Sequence, residues 1–346
     1  MTAPGTHRPQ QTQGTQRTEQ VFRALSRHGN HSSAFLTMGS GLRHLSVPGD
    51  DGFVAHRTAG RHMFELCGPV CADADRERLL AALLDRAAEE RRKVVGVQLS
   101  RRDAELHAAH GFTADQLGAS FSIALDGYSL GGRRMVKVRN MVNRARKEGV
   151  TADEASPADR DGPELAAALD GVDAAWLRAK GRHVKELGFM IGERGGPGAP
   201  YRRLFTAVHQ GRIVAYVSYS PVFGERPGWL YDLTRRTPEA PPGTIDLVFA
   251  TALRRFQDEG SAWLHLGFTP FVQLEPLERA PGRPGRGLRP CLELVRRRGA
   301  ALYPAAAQES FKLKWRPQLI EPEYLAFQGG PSPRAVWDLL RLTRTV

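Results

Sequence analysis

Cysteine is scarce: three in 346 residues, Cys67, Cys71 and Cys291. An odd count at this spacing builds neither a disulfide framework nor a common zinc site. Reduced thiols and a cytoplasmic protein are therefore expected. No apolar run approaches the roughly 18 to 20 residues of a membrane span, and the first residues lack the apolar core of a signal peptide. The sequence contains no P-loop, no dinucleotide-binding glycine fingerprint and no His/Cys cluster, so neither a metal nor a nucleotide cofactor is expected. Acidic residues are also short: none precedes Glu19, and 37 Asp and Glu face 49 Lys and Arg, a formal net charge of +12. That balance favours a polyanionic partner, nucleic acid or an anionic membrane surface. A merely solvated basic surface is the plainer alternative.

Residues 228–267 organise the chain. Residues 229–233 are β-rich, a loop with three prolines follows, and Ile245, Val248, Phe249, Ala252, Leu253 and Phe256 recur at helical spacing after Thr244 as N-cap. Gly260 ends that helix and residues 262–266 form a second strand. The unit is β-loop-α-β, with two parallel strands and a right-handed crossover. Ligands of open α/β sheets collect beyond the carboxyl ends of the strands. Asp232, Arg235 and Arg236 stand at one such end, and residues 267–270 at the other. The unit resembles the donor half of a GNAT-type acyltransferase, but the glycine-rich loop that would cradle a CoA pyrophosphate is missing. Pro238, Pro241 and Pro242 stand there instead and lack amide donors. An acetyl-CoA-dependent N-acetyltransferase is correspondingly the weaker reading.

The rest of the chain alternates helix and strand. Residues 1–18 read as a disordered leader and 19–27 as a short helix. Strand pieces are expected at 34–38, 52–56 and 62–67. An amphipathic helix follows at 75–91, a strand at 93–99, a helix at 105–111 and a strand at 119–125. Residues 19–132 thus form a first α/β domain. Residues 133–149 form a basic linker helix, with Met135, Val138, Val142 and Ala145 on its docked face. A second domain spans 150–346, with a helix at 164–180 and strands at 201–208, 213–219 and 229–233. Residues 278–290 are a Gly/Pro/Arg loop, 291–302 a helix with Arg296 and Arg297, and 311–317 an extended segment.

Several motifs carry a resemblance. These are Asp232-Leu233-x-Arg235, then Pro241-x-Gly243-x-x-Asp246, then Leu266-Gly267-x-x-Pro270. To them are added Arg139-Asn140-x-x-Asn143-Arg144-Ala145 in the basic helix and Phe311-Lys312-x-Lys314-Trp315-x-Pro317 near the end. Together they resemble the C-terminal catalytic domain of the lysyl- and alanyl-phosphatidylglycerol synthases. The resemblance implies tandem GNAT-like domains with mixed central sheets, and an aminoacyltransferase that takes its amino acid from aminoacyl-tRNA without metal or CoA. The large lipid synthases of that family carry a membrane-embedded flippase half, which this sequence lacks. The first expectation is therefore a small-molecule acceptor offering a hydroxyl or amine, as in the soluble relatives of antibiotic biosynthesis, the valanimycin seryl transferase type. Phosphatidylglycerol as acceptor, with peripheral contact to an anionic membrane, is the alternative. A non-catalytic nucleic-acid-binding protein would explain the charge but not the acid among the apolar residues of 229–233.

Asp232 would hold an α-ammonium group or accept a proton; its structural alternative is an ion pair with a nearby arginine. Arg235 suits a phosphate or the ester carbonyl. His265 is either a satisfied core residue or a base facing the cleft. Lys312 and Lys314 would point the same way from an extended segment, toward tRNA phosphate or the oxyanion. Gly192, Arg236, Gly243, Gly267 and Thr269 are the remaining substrate-binding candidates. Arg139, Arg144, Arg146, Lys147, Arg296 and Arg297 are the candidates for tRNA phosphate contacts.

Overall fold

The computed structural model describes residues 8–160, 162–180, 188–276, 281–282 and 305–343. Its strands are β1 (Arg43–Leu45), β2 (Val54–Ala59), β3 (His62–Leu66), β4 (Lys93–Leu99), β5 (Phe112–Ala124), β6 (Thr151–Glu154), β7 (Arg203–His209), β8 (Arg212–Val222), β9 (Gly228–Arg236), β10 (Trp263–Pro270) and β11 (Leu319–Gln328). The described helices are α1 (Arg8–His28), α2 (Arg76–Glu89), α3 (Arg101–Ala109), α4 (Val136–Lys147), α5 (Pro157–Arg160), α6 (Pro163–Lys180), α7 (Thr244–Asp258), α8 (Ala305–Lys314) and α9 (Pro333–Leu342).

All eleven strands lie in one mixed sheet, ordered β1-β2-β3-β4-β11-β5-β10-β9-β8-β7-β6. Two pairs are parallel, β3 with β4 and β9 with β10, and each is joined through a helix, α2 or α7. The fold is thus of the mixed α/β class expected, with one large mixed central sheet. The strand that ends each unit pairs across the junction: β5 pairs with β10, while β11 lies between β4 and β5. The last strand and helix of the second expected domain therefore lie with the first half. Helix α9 packs on β2 and β3.

Helix α7 shows why the central unit folds. Leu247, Val248, Phe249, Ala252, Leu253 and Phe256 are all buried against the sheet and α4. Each large apolar side chain so buried contributes about 1.5–3 kcal/mol. Helix α4 buries Val138, Val142 and Ala145, and the turn before it buries Met135, the expected face; Arg144, Arg146 and Lys147 are exposed. Gly243, not Thr244, is the N-cap, with φ +88°. A Cβ there would strike the Met141 carbonyl of α4.

Three local expectations fail for physical reasons. Helix α1 starts at Arg8 and runs through residues read as leader. Val21, Ala24 and Leu25 dock its second half, and a helix so nucleated propagates at one bond per residue. Residues Ala34–Met38 form a fully buried 3-10 turn rather than a strand; so short an apolar run has no periodicity to separate the two. Residues 311–314 end α8 instead of extending. The Phe-Lys-Leu-Lys alternation mimics a strand, but Phe311 and Trp315, four apart, pack on Phe249. The loop at 278–290 and the helix at 291–302, with Arg296 and Arg297, lie outside the described residues, apart from residues 281–282.

Among the described residues no helix is long and apolar enough to cross a membrane. Among them, no group of three or more His, Cys, Asp or Glu is arranged to hold a metal ion.

Candidate active site

A β-bulge creates the site. Ser218 pairs with Leu233 and Tyr219 with Tyr231, so Asp232 is an extra residue on β9. A regular strand sends residues three apart to opposite faces, which would have separated Asp232 from Arg235. The bulge puts both on one face: Asp232 bonds Ser220, and Arg235 sits opposite Tyr216. Tyr216, Ser218 and Ser220 alternate along β8 and share that face. Helix α6 covers it, with Leu169 and Val172 against Tyr216 and Leu233.

A cleft of about 1120 Å³ is lined by Asp173, Gly192, Glu193, Arg194, Arg202 and Ser218. Asp232 does not stand open in it. Its side chain is 1% exposed and is paired with Arg202, itself 4% exposed, at Nε–Oδ2 3.1 Å. The Ser220 hydroxyl also donates to this carboxylate. Burial pushes the Asp232 carboxyl above the usual carboxylate range, and Arg202 and Ser220 draw it back. The ion pair of the structural alternative is therefore present: Arg202 lines the cleft, and Asp232 lies behind it. Gly192 rests directly on the pair: a Cβ at that position would land on the Asp232 carboxylate.

Arg202 was not legible as a site residue. Its Nε also donates to Ser220 Oγ at 3.3 Å and its Nη1 to the Gly195 carbonyl at 3.1 Å. Its buried Nη2 and the Ser218 hydroxyl have no hydrogen-bond partner among the described residues. A second charged knot stands beside it. Asp173 of α6 meets Arg194 Nε at 3.1 Å and Arg235 Nε at 3.8 Å, and accepts from the Tyr216 hydroxyl. The Arg235 guanidinium lies 3.9 Å from the Trp176 ring centre, and Lys180 lies 4.1 Å from the same ring. Arg235 is thus buried and held, not extended toward solvent.

The other candidates lie elsewhere. β10 has its own bulge between His265 and Gly267, and Gly267 adopts φ +74°. Lys312 is buried and donates to the Gly267 and Phe268 carbonyls at 2.7 and 2.8 Å. Burial lowers its ammonium to about 7. Lys314 points away and pairs with Asp246 at 2.5 Å, so the two lysines do not act on one target: a helix, unlike a strand, separates residues two apart by about 200°. His265 accepts from Ser122 through Nδ1 at 2.8 Å and donates from Nε2 to the Arg226 carbonyl at 3.0 Å. Burial lowers it to about 4. It is the satisfied core histidine, in the wall of a different cavity. Thr269 is fully buried and Arg236 exposed at the end of β9. Arg139 clamps the turn before α4 by donating to the Leu130 and Gly132 carbonyls, both at 2.6 Å. It is a structural residue rather than an outward phosphate contact.

The comparisons with known proteins bear on this site. The family model described as phosphatidylglycerol lysyltransferase, C-terminal, matches residues 22–327. A Mycolicibacterium vanbaalenii protein named as a lysylphosphatidylglycerol biosynthesis bifunctional protein is 32% identical over 163 residues, 46% of this chain and 14% of that protein. The phosphatidylglycerol lysyltransferase of Bacillus subtilis is 26% identical over 258 residues, 70% of this chain and 29% of the relative. The chain thus spans less than a third of these curated relatives. The solved structure of L-PGS from Bacillus licheniformis superposes with a TM-score of 0.76 at 22% identity, covering 94% of this chain and 96% of that one. The match at residues 22–327 encloses the bulge, the ion pair beneath Gly192 and the Lys312 anchor, and it places this chain in the phosphatidylglycerol lysyltransferase C-terminal domain family.

Proposed function

We propose that this chain transfers an aminoacyl group, lysyl first among the candidates, from aminoacyl-tRNA to phosphatidylglycerol. The observation that carries the reading is the family match over residues 22–327, which contains every residue lining the cleft. The relatives are named for phosphatidylglycerol and lysine, which favours the lipid over the small-molecule acceptor expected first. That expectation rested on a missing membrane half, and a chain spanning less than a third of its relatives does not support such an argument.

The chemistry asks little of the protein. The aminoacyl ester is already activated. A hydroxyl oxygen of the acceptor attacks the ester carbonyl carbon and forms the new C–O bond. The bond to the tRNA ribose breaks, and the ribose oxygen takes up a proton. Orientation and oxyanion stabilisation are the main tasks. Glu193 on the cleft wall suits an ammonium group of a lysyl residue. Arg202, with Nη2 unused, suits the carbonyl oxygen as negative charge develops on it. The exposed cations of α4 suit the tRNA backbone. The loop from Thr237 to Gly243 is packed onto α4 through Gly243, which adds to its poor fit for CoA.

The test is incubation of the protein with radiolabelled lysyl-tRNA and phosphatidylglycerol vesicles, with alanyl- and seryl-tRNA in parallel. Label in the extracted lipid supports the reading. Label only in water-soluble products, when acceptor extracts are supplied, returns the small-molecule acceptor. No transfer by a folded chain to either acceptor overturns the aminoacyltransferase reading. Asp232→Asn and Arg235→Ala are each expected to cut transfer by about 10²-fold or more. Their combined loss should be less than the product, because each holds a residue that lines the same cleft, Arg202 for Asp232 and Asp173 for Arg235.

A further inference from the structure

A second cavity, of about 430 Å³, has Glu323, His31, His265 and Ser120 among its lining residues. Nothing in the reaction above uses it. Glu323 of β11 is 2% exposed and sits opposite Gly118 of β5. Its two oxygens are treated unequally. The Ser120 hydroxyl donates to Oε1. His31 Nε2 stands 3.6 Å from the same oxygen. His31 Nδ1 accepts the Ser33 amide at 3.0 Å, so the neutral ring carries its proton on Nε2, facing Glu323. Oε2 has no partner among the described residues. An unpaired buried carboxyl oxygen costs the full desolvation of that group, and a ligand would recover it.

The lining decides which ligand. His31 and His265 are both lowered to about 4 by burial and are neutral. Burial also lifts the Glu323 carboxyl to about 8, with the Ser120 hydroxyl and the Lys312 ammonium drawing it back. The arginines nearer the surface are already matched with acids: Arg76 with Asp103, Arg101 with Glu275, Arg102 with Asp73 and Arg226 with Glu321. The side chains lining the deep end are therefore polar, with the buried Lys312 as the cation acting on Glu323 from outside the lining, and the charges at the entrance are matched. Such a lining selects hydroxyl groups rather than an anion or a cation.

We propose that this cavity is a polyol subsite, in which Glu323 Oε2 makes the hydrogen bond that recognises a hydroxyl of a glycerol-type head group. That the occupant is the acceptor rests on the proposed reaction; the subsite itself does not.

The test is calorimetric titration of the full chain with three probes. Glycerophosphoglycerol carries the phosphodiester and the hydroxyls, dimethyl phosphate carries only the charge, and glycerol only the hydroxyls. Glycerophosphoglycerol should bind at least about ten-fold tighter than dimethyl phosphate, the scale of one hydrogen bond to a buried group. Glu323→Leu should abolish that preference, while Glu323→Gln, which still presents a donor, should keep part of it. Equal affinity for the two phosphodiesters, or no binding of glycerophosphoglycerol, overturns the subsite. So does a preference that survives Glu323→Leu. If the leucine variant does not fold, the glutamine variant decides: it should keep only part of the preference, and an unchanged preference in it overturns the proposal. Binding of glycerophosphoglycerol by a chain that transfers no lysine keeps the subsite and overturns only the reaction. Transfer to lipid without the preference does the reverse.

Discussion

Removing one partner of the Arg202–Asp232 pair should cost far more than half the cost of removing both. The pair is 4% and 1% exposed. Asp232→Leu would leave a buried guanidinium with only the Gly195 carbonyl and the Ser220 hydroxyl as partners. An uncompensated buried charge of this kind costs about 3–5 kcal/mol. Arg202→Met leaves a carboxyl that can take a proton and keep Ser220, so its loss should be smaller, about 1–3 kcal/mol. In the double variant no buried charge remains, and the summed single losses should exceed the observed loss by about 2 kcal/mol or more. The measurement is urea unfolding of all four proteins at pH 7, followed by circular dichroism. pH supplies a second readout. Burial already raises the Asp232 carboxyl, and loss of Arg202 raises it further. A folded-state acid with a raised pKa binds more protons than the unfolded chain, so stability falls as pH rises toward that pKa. Arg202→Met should therefore recover relative to the natural protein as pH falls from 7 to 5. Additive single losses, independent of pH, would refute the claim that these two groups form one buried unit.

Three further outcomes are expected. Gly192→Ala places a methyl group on the Asp232 carboxylate; it should lower stability by about 1–3 kcal/mol and abolish transfer, as melting curves and the labelled-lipid assay would show. Arg144, Arg146 and Lys147 are exposed on α4. Their joint replacement by alanine should lower the slope of log affinity against log salt for tRNA by about two to three, at roughly 0.9 per phosphate contact, while an unchanged slope in filter binding would return α4 to a mere linker. Glu323 is lifted from 4.5 to about 8, so stability should fall as pH rises through that window. Glu323→Gln should flatten the fall, most visibly between pH 4.5 and 7, below the range in which Lys312, lowered to about 7, contributes the opposite slope.

What the sequence made legible follows the range of the interactions involved. The docked face of α4 and the apolar face of α7 were visible because helical period alone sets them. The parallel β9–α7–β10 unit was visible because its turn residues lie between its strands. The Asp232 bulge was not, since an extra residue in a strand is defined by the partner it fails to have. Nothing near Arg202 announces that it reaches across to β9, thirty residues away. Two signals were present and unread. Ser218 and Ser220 alternate within an otherwise apolar strand, which marks one of its faces as polar. Glu323 sits within the run that becomes β11, and a carboxyl buried in a strand requires partners wherever it lies.

The closing Phe-Lys-x-Lys-Trp stretch gains a different meaning once its backbone is helical. In an extended segment two lysines would have served one anion. In α8 they diverge, and each fastens a different element of the central unit. Lys312 holds the carbonyls of Gly267 and Phe268 just past the β10 bulge. Lys314 holds Asp246 in the first turn of α7, where a carboxylate also favours the helix dipole. Phe311 and Trp315 fill the space between, against Tyr231 and Phe249. The chain then enters β11, which places Glu323 between the two halves of the sheet. One short segment thus ties the strand bearing Asp232, through the packing of Tyr231 on the same strand, to the wall of the second cavity. A substitution at Lys312 should accordingly disturb both cavities at once, whereas one at Asp232 should disturb only the first.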